Sequence, residues 1–184
     1  MHDIEPFYNW RQLYISEEDS LSPFFGQQYS DIYFTNTVYN YYIHPQWDNF
    51  GSNTLYLKLI FIDYRSRTAI IEFIGEWNDL LYNDIMFLKR NVIDTLIENG
   101  IAQFILIGEN ILNFHYSDTD YYEEWLDDLY CGWVTCIGFL PHVVSELRKG
   151  KINKYFTIND EINNLNWRTY LPDNLILKVE SYFV

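Results

Sequence analysis

The apolar positions of the chain recur with different periods, and the period assigns most of its elements. Between residues 81 and 96 they fall at Leu81, Ile85, Leu88, Val92 and Leu96, spaced by three or four residues, which is one stripe of an α-helix. Asn78 or Asp79 can cap its start, and Gly100 after Asn99 supplies a left-handed stop, so the pattern predicts a helix over 79–99. Ala102–Ile107 is nearly all apolar, the mark of a strand buried on both faces. Thr54–Asp63 and Thr68–Ile74, joined by Tyr64-Arg65-Ser66-Arg67, read as an antiparallel hairpin. A helix connecting strand 68–74 to strand 102–107 suits a right-handed parallel crossover.

The remaining segments follow from weaker signals. Ile32–Tyr42 is rich in β-branched and aromatic residues and is expected to be a strand; His44–Ser52, with Pro45 and Gly51, is expected to turn. Gly108–Ser117 reads as a loop, Asp118–Tyr130 as a helix with Tyr121 or Tyr122, Trp125 and Leu129 inward, and Trp133–Phe139 as a further buried strand. Pro141 and Gly150 bracket a short helix over 141–149. Beyond it, 152–158 is expected to be extended, 160–170 weakly helical and 175–183 a last strand. Phe7, Trp10, Leu13 and Tyr14 share one face in an otherwise irregular start, so residues 1–30 are expected to be an arm docked on a domain formed by 31–184. The fold class is α/β (α+β): a single domain with a mixed sheet, antiparallel at its N-terminal side, and helices packed on it.

Composition narrows the function classes. Asp and Glu outnumber Lys and Arg 26 to 12, a net charge of −14, whereas phosphate backbones and anionic lipids are held by basic side chains. Nucleic-acid and membrane partners are therefore not expected. Apolar residues at 48% with 17 Tyr, 13 Phe and 6 Trp exclude a disordered chain. Tyr33, Phe34, Tyr39, Tyr41, Tyr42 and Trp47 gather in the first β region, as interface or core-rim residues do, although with only two alanines in the chain a biased composition explains them equally. Cys131 and Cys136 are too few for a disulfide framework or a zinc site, and Cys136 reads as a small buried hydrophobe. With no basic or apolar leader at the first residues and no membrane-length apolar run, the expected compartment is the cytoplasm.

The segment 109–128 is the main candidate for chemistry. It holds seven carboxylates and His115 with no Lys or Arg, just beyond a buried strand, where open α/β sheets place ligands. Glu109, His115, Asp118 and Glu123 could ligate a divalent metal, although Asp118-Thr-Asp120 lacks the Gly and distal Glu of a calcium loop and there is no His-Glu-x-x-His pair. Capping by Ser117 or Asp118, with Asp120, Glu123 and Glu124 in the first turns, accounts for the same charges without a metal. As an interaction surface the segment offers Glu109, Asn110, Asn113, His115, Ser117, Tyr121, Tyr122 and Trp125. Glu72, Glu76 and Asp79 flank Gly75 and would share a cleft if the strand ran on through it; His44, Trp47 and Asp48 share one turn; His142 and Glu146 form an i, i+4 pair. Nucleophile-elbow, phosphate-loop and dinucleotide motifs do not occur.

Residues 68–139 resemble the STAS domain, the fold of bacterial anti-sigma-factor antagonists and of the cytoplasmic tails of sulfate transporters. The order matches: a strand ending Ile74-Gly75-Glu76-x-x-Asp79, a long helix, a buried strand, a polar loop, a helix and another strand. The family's phosphorylatable Ser, flanked by Asp and Gly, is replaced here by Phe114-His115-Tyr116-Ser117-Asp118-Thr119, with Ser117 the nearest counterpart. The resemblance implies a regulatory or interaction role rather than catalysis. The expectation is therefore a non-enzymatic module binding a protein or small ligand through 109–125, without a cofactor and with homodimerisation open. The alternative is a metal-dependent enzyme.

Overall fold

In the computed structural model, which describes residues 4–183, a four-stranded sheet lies between two layers of helices and irregular chain. A small hairpin, β1 (Thr37–Val38) and β2 (Tyr41–Tyr42), precedes β3 (Leu55–Asp63) and β4 (Thr68–Asn78). Then come the short helices α1 (Asp79–Tyr82) and α2 (Asp84–Leu88), a wide π turn (Lys89–Ile93) and α3 (Asp94–Glu98). Next are β5 (Gln103–His115), α4 (Asp120–Asp128), β6 (Trp133–Ile137), α5 (Pro141–Lys149), α6 (Asp160–Asn163) and α7 (Pro172–Glu180). The sheet order is β3-β4-β5-β6, antiparallel between β3 and β4 and parallel thereafter. The fold is the mixed single-domain α/β arrangement expected.

The core stripe holds except at its first member. Ile85, Leu88, Val92 and Leu96 are buried against the sheet, but Leu81 is 70% exposed. Polar side chains break the helix there. Asn78 Oδ1 accepts the Leu81 N–H and caps the start of one short turn, while Asp79 Oδ1 accepts the Ile85 N–H at the start of the next. Asn83 lies between them in the left-handed region at φ 54°. Both expected caps are used, one for each segment. Within the π turn Lys89 is fully buried, its ammonium 2.7 Å from Asp128 Oδ2 and also paired with Asp94, which ties this helical stretch to α4.

Four expected segments differ. Residues 32–42 do not form one strand: Tyr39 and Asn40 both take positive φ, which folds the stretch into a two-residue hairpin turn and leaves Ile32 and Tyr33 exposed. The expected loop 108–117 is mostly strand, because β4 runs on through Gly75 to Asn78 and gives β5 a partner as far as His115. Gly75 makes that continuation feasible: at φ +119° a Cβ would lie 2.1 Å from the Thr54 carbonyl oxygen. Residues 152–158 are not one extended run; a 3₁₀ turn at Ile152–Lys154 precedes a single bridge from Thr157 to Thr135. The expected last strand is helix α7, where Pro172 opens the first turn and Leu175, Ile176 and Val179 recur with helical spacing on the buried side.

The two faces of the sheet have separate cores. Leu57, Ile71, Phe73, Leu106 and Cys136 pack under α2–α5. Burial raises the Cys136 thiol pKa well above its ordinary value, and Cys131 is an exposed free thiol. On the other face Phe61, Ile70, Ile105, Ile107 and Ile137 are covered by Trp10, Ile162, Trp167 and the inner side of α7. The hairpin strand β1 and the following turn add a third cluster there, with Val38, Ile43 and Trp47 against Tyr56 and Ile74.

Candidate functional site

This second face carries charge within its apolar surface. Along β3 and β4 it presents Lys58, Glu72 and Glu76, all buried, and each is matched by a distant segment. Lys58 Nζ lies 3.3 Å from both Asp48 Oδ2 and Glu17 Oε2 and donates to Tyr29 Oη at 2.9 Å. Burial pushes the Asp48 carboxyl up to about 6 even though Lys58 opposes the shift. Asp48 therefore serves as a counter-charge, and the Trp47 indole donates to the Ile4 carbonyl at 2.8 Å, so the turn that holds His44 is used structurally.

Glu72 receives the Phe7 N–H at 2.7 Å, and Arg168 Nη2 lies 3.4 Å from its other oxygen. Its carboxyl is pushed up to about 7, first by burial and then by the neighbouring Glu109, against the pull of Phe7 and Arg168. Glu109 takes the Trp167 indole N–H at 2.9 Å on Oε1 and Arg168 Nε and Nη2 at 3.1 and 2.7 Å on Oε2. The Arg168 guanidinium in turn stacks over Trp167, 4.6 Å from the ring centre.

Toward the end of β4, Glu76 anchors the small hairpin. Its Oε1 is 2.9 Å from His115 Nε2 and accepts from Asn78 Nδ2 at 3.0 Å, while Oε2 accepts the Tyr39 hydroxyl. Asn113 Nδ2 donates to the same Tyr39 oxygen at 3.2 Å. Between the Glu109 and Glu76 groups lies a cavity of about 350 Å³. The hairpin region contributes Val38, Tyr39, Tyr41 and Ile43 to its wall; the sheet contributes Ile74, Gly75, Glu109, Asn110 and Leu112, and the arm Ile4. Tyr41 and Leu112 form an exposed rim, at 69% and 45%. Two larger depressions, of about 490 and 420 Å³, differ in kind: one sits beside the β3–β4 turn at Asp63 and Arg65, at the amino ends of the parallel strands, and the other is walled mainly by Thr, Asn and Glu76.

The expected interaction residues are thereby divided. Glu109, Asn110 and Asn113 lie in or beside the cavity, and His115 flanks it through Glu76. Ser117 is exposed in the connection to α4. Tyr121 is half-buried beside Arg90. Tyr122 and Trp125 correct the expectation: both are fully buried in the helix-side core, Trp125 against Phe104 and Phe156, so neither presents a surface to a partner. Tyr122 instead donates to Asp79 Oδ2 at 2.5 Å, and Asp79 Oδ1 takes the Trp77 indole and the Ile85 N–H. Burial raises the Asp79 carboxyl to about 7.

The four proposed metal ligands do not meet. Glu109 is held by Arg168 and Trp167 and His115 by Glu76, while Asp118 is exposed ahead of α4 and Glu123 lies on the exposed side of that helix. Among the described residues no three His, Cys, Asp or Glu side chains are grouped so as to hold an ion. Glu72 and Glu76 do lie on one continuous strand, yet they serve separate clusters on either side of the cavity. The expected His142–Glu146 pair is replaced: His142 Nε2 contacts the Leu112 carbonyl at 2.7 Å and Glu146 pairs with Lys149. Sequence reasoning missed Arg168, Trp167 and Lys58. Scarcity was the available signal for the two cations, since 12 basic residues must serve 26 acids.

No protein-family model matches the chain, and no curated protein does. Among solved structures it is similar to the anti-sigma factor antagonist SpoIIAA in its unphosphorylated form, at 15% identity over 68% of this chain and 96% of that one, with a TM-score of 0.48. The resemblance read from residues 68–139 is likewise to the family of anti-sigma-factor antagonists.

Proposed function

We propose that the protein is a non-catalytic interaction module whose ligand or partner docks in the groove between the 37–43 hairpin and the carboxyl halves of β4 and β5. The observation that carries this reading is the cavity itself. It is mostly apolar, it is rimmed by exposed Tyr41 and Leu112, and it lies toward the carboxyl ends of parallel strands. Of the acidic segment only its first part, from Glu109 to Asn113, takes part in this reading.

The metal-enzyme alternative has less support. Glu72 and Asp79, the carboxyls poised nearest neutrality, are buried and have both oxygens engaged by protein donors. General acid–base chemistry needs such a group within hydrogen-bond reach of a substrate. Among the described residues no helix is long and apolar enough to cross a membrane.

A mixed set of neutral, cationic and anionic fragments, screened by ligand-observed NMR against the wild type and Leu112→Trp, tests the reading. Fragments should bind the wild type and lose binding in the variant, whose indole fills the mouth of the groove. Fragment binding that Leu112→Trp leaves intact would place the site elsewhere.

A further inference from the structure

Resting on that reading, we propose that the groove takes an uncharged small molecule of one or two rings, held by apolar contact and by a hydrogen bond to the Asn110 side chain. Size comes first. A cavity of roughly 150 Å³ accommodates benzene, so about 350 Å³ admits a fused or substituted ring. The walls are aliphatic at Ile43, Ile74 and Leu112 and aromatic at Tyr39 and Tyr41, which suits a flat apolar body.

Charge decides the class. Among the described residues Glu109 is the only charged side chain in the lining, and three donors from Trp167 and Arg168 already occupy its oxygens. A cationic ligand would lose its hydration without gaining a free counter-ion, and an anion would lose its own with no Lys or Arg among the described lining residues to receive it. A second copy of the chain is a poor occupant, because each copy brings a net charge of −14.

One polar group in the wall remains available. The Asn110 side-chain amide has no hydrogen-bond partner among the described residues, and it offers both a donor and an acceptor to a hydroxyl, an amide or a ring N–H. The opposite wall is built before the ligand arrives. Tyr39 is fastened to Glu76 and Asn113, and Val38 and Ile43 pack on Ile74, so little ordering cost falls on binding.

The test compares benzyl alcohol with benzylamine and benzoate, which share one ring and differ in charge, by titration of the amide spectrum of ¹⁵N-labelled protein. Benzyl alcohol should shift amides of 38–43, 74–75 and 109–112 saturably, and should bind at least about tenfold tighter than either ion. Asn110→Leu should weaken benzyl alcohol several-fold and leave toluene unchanged, a contrast that a purely structural role for Asn110 would not produce. If an ion binds these residues as tightly as the alcohol, the proposed ligand class is wrong while the site stands. If none of the three moves these amides, the site reading fails with it.

Discussion

The two faces of the sheet are built on different terms. Under the helices, the sheet side chains of β3, β4, β5 and β6 are apolar throughout, among them Leu57, Ile71, Phe73, Leu106 and Cys136. The buried charges on that side, Asp79, Asp84 and Lys89, belong to the helical stretch after β4; Asp84 accepts the Asn78 N–H, and Asp79 and Lys89 are matched by α4. The opposite face places Lys58, Glu72, Glu76 and Glu109 on the strands themselves and closes over them with an arm, a small hairpin and the C-terminal segment. A uniformly apolar face can be covered by any helix of suitable pattern. A face with charges in it accepts only segments that bring the right counter-charge, and such segments are held by specific groups rather than by area. The candidate site lies where that second kind of closure is incomplete.

The contrast breaks most sharply at Leu88, which is fully buried in the helix-side core. Leu88→Ala should cost about 2–5 kcal/mol, read as a fall in denaturant midpoint at every pH, because only apolar contact is lost. Arg168→Ala should cost less, about 1–2 kcal/mol, since the guanidinium is partly solvated. Its cost should depend on pH: larger at pH 8, where Glu72 is ionised and left without its cation, than at pH 5, where Glu72 is protonated.

The same carboxyls set the slope of stability with pH. Glu72 and Asp79 at about 7 and Asp48 at about 6 hold protons in the folded chain that unfolded carboxyls near 4 have released. Their contribution is complete below about pH 4 and is lost as pH rises through 6–7, so thermal midpoints should fall between pH 5 and 8. Glu72→Gln should flatten that fall; an unchanged slope would contradict the assignment. Tyr39→Phe, which frees the hairpin from Glu76, should cost about 0.5–1.5 kcal/mol and leave the helix-side core intact. The smallest effect is expected from ions. At matched ionic strength Ca²⁺, Mg²⁺ or Zn²⁺ should stabilise no more than NaCl, because screening is all the acidic segment needs. A rise of several degrees at micromolar ion, lost in His115→Ala, would promote the metal reading.

What could be read in the sequence follows the same division. The Ile85, Leu88, Val92 and Leu96 stripe, the hairpin 54–74 and strand 102–107 announce themselves because their burial is periodic and local. The helix break at Asn83 was hidden, since it depends on which of two adjacent caps, Asn78 or Asp79, serves which turn. Leu175–Phe183 is apolar enough for a strand or a helix, and the short recurrence of Leu175, Ile176 and Val179 becomes decisive only with Pro172 at the first turn of α7. Of the candidate site, Glu109, Asn110 and Asn113 were found from their place after a buried strand. Arg168 was not, because it lies 96 residues from Glu72 and no local pattern connects the two.

Amide hydrogen exchange resolved by residue tests the division of the molecule most directly. Amides of β5 at 104–107 and of 85–96 should exchange only through global unfolding, whereas those of the 37–43 hairpin and the arm should open locally, at lower free energy. The hairpin should become protected on adding benzyl alcohol. Equal protection of the two faces, or a hairpin indifferent to the ligand, would contradict the account.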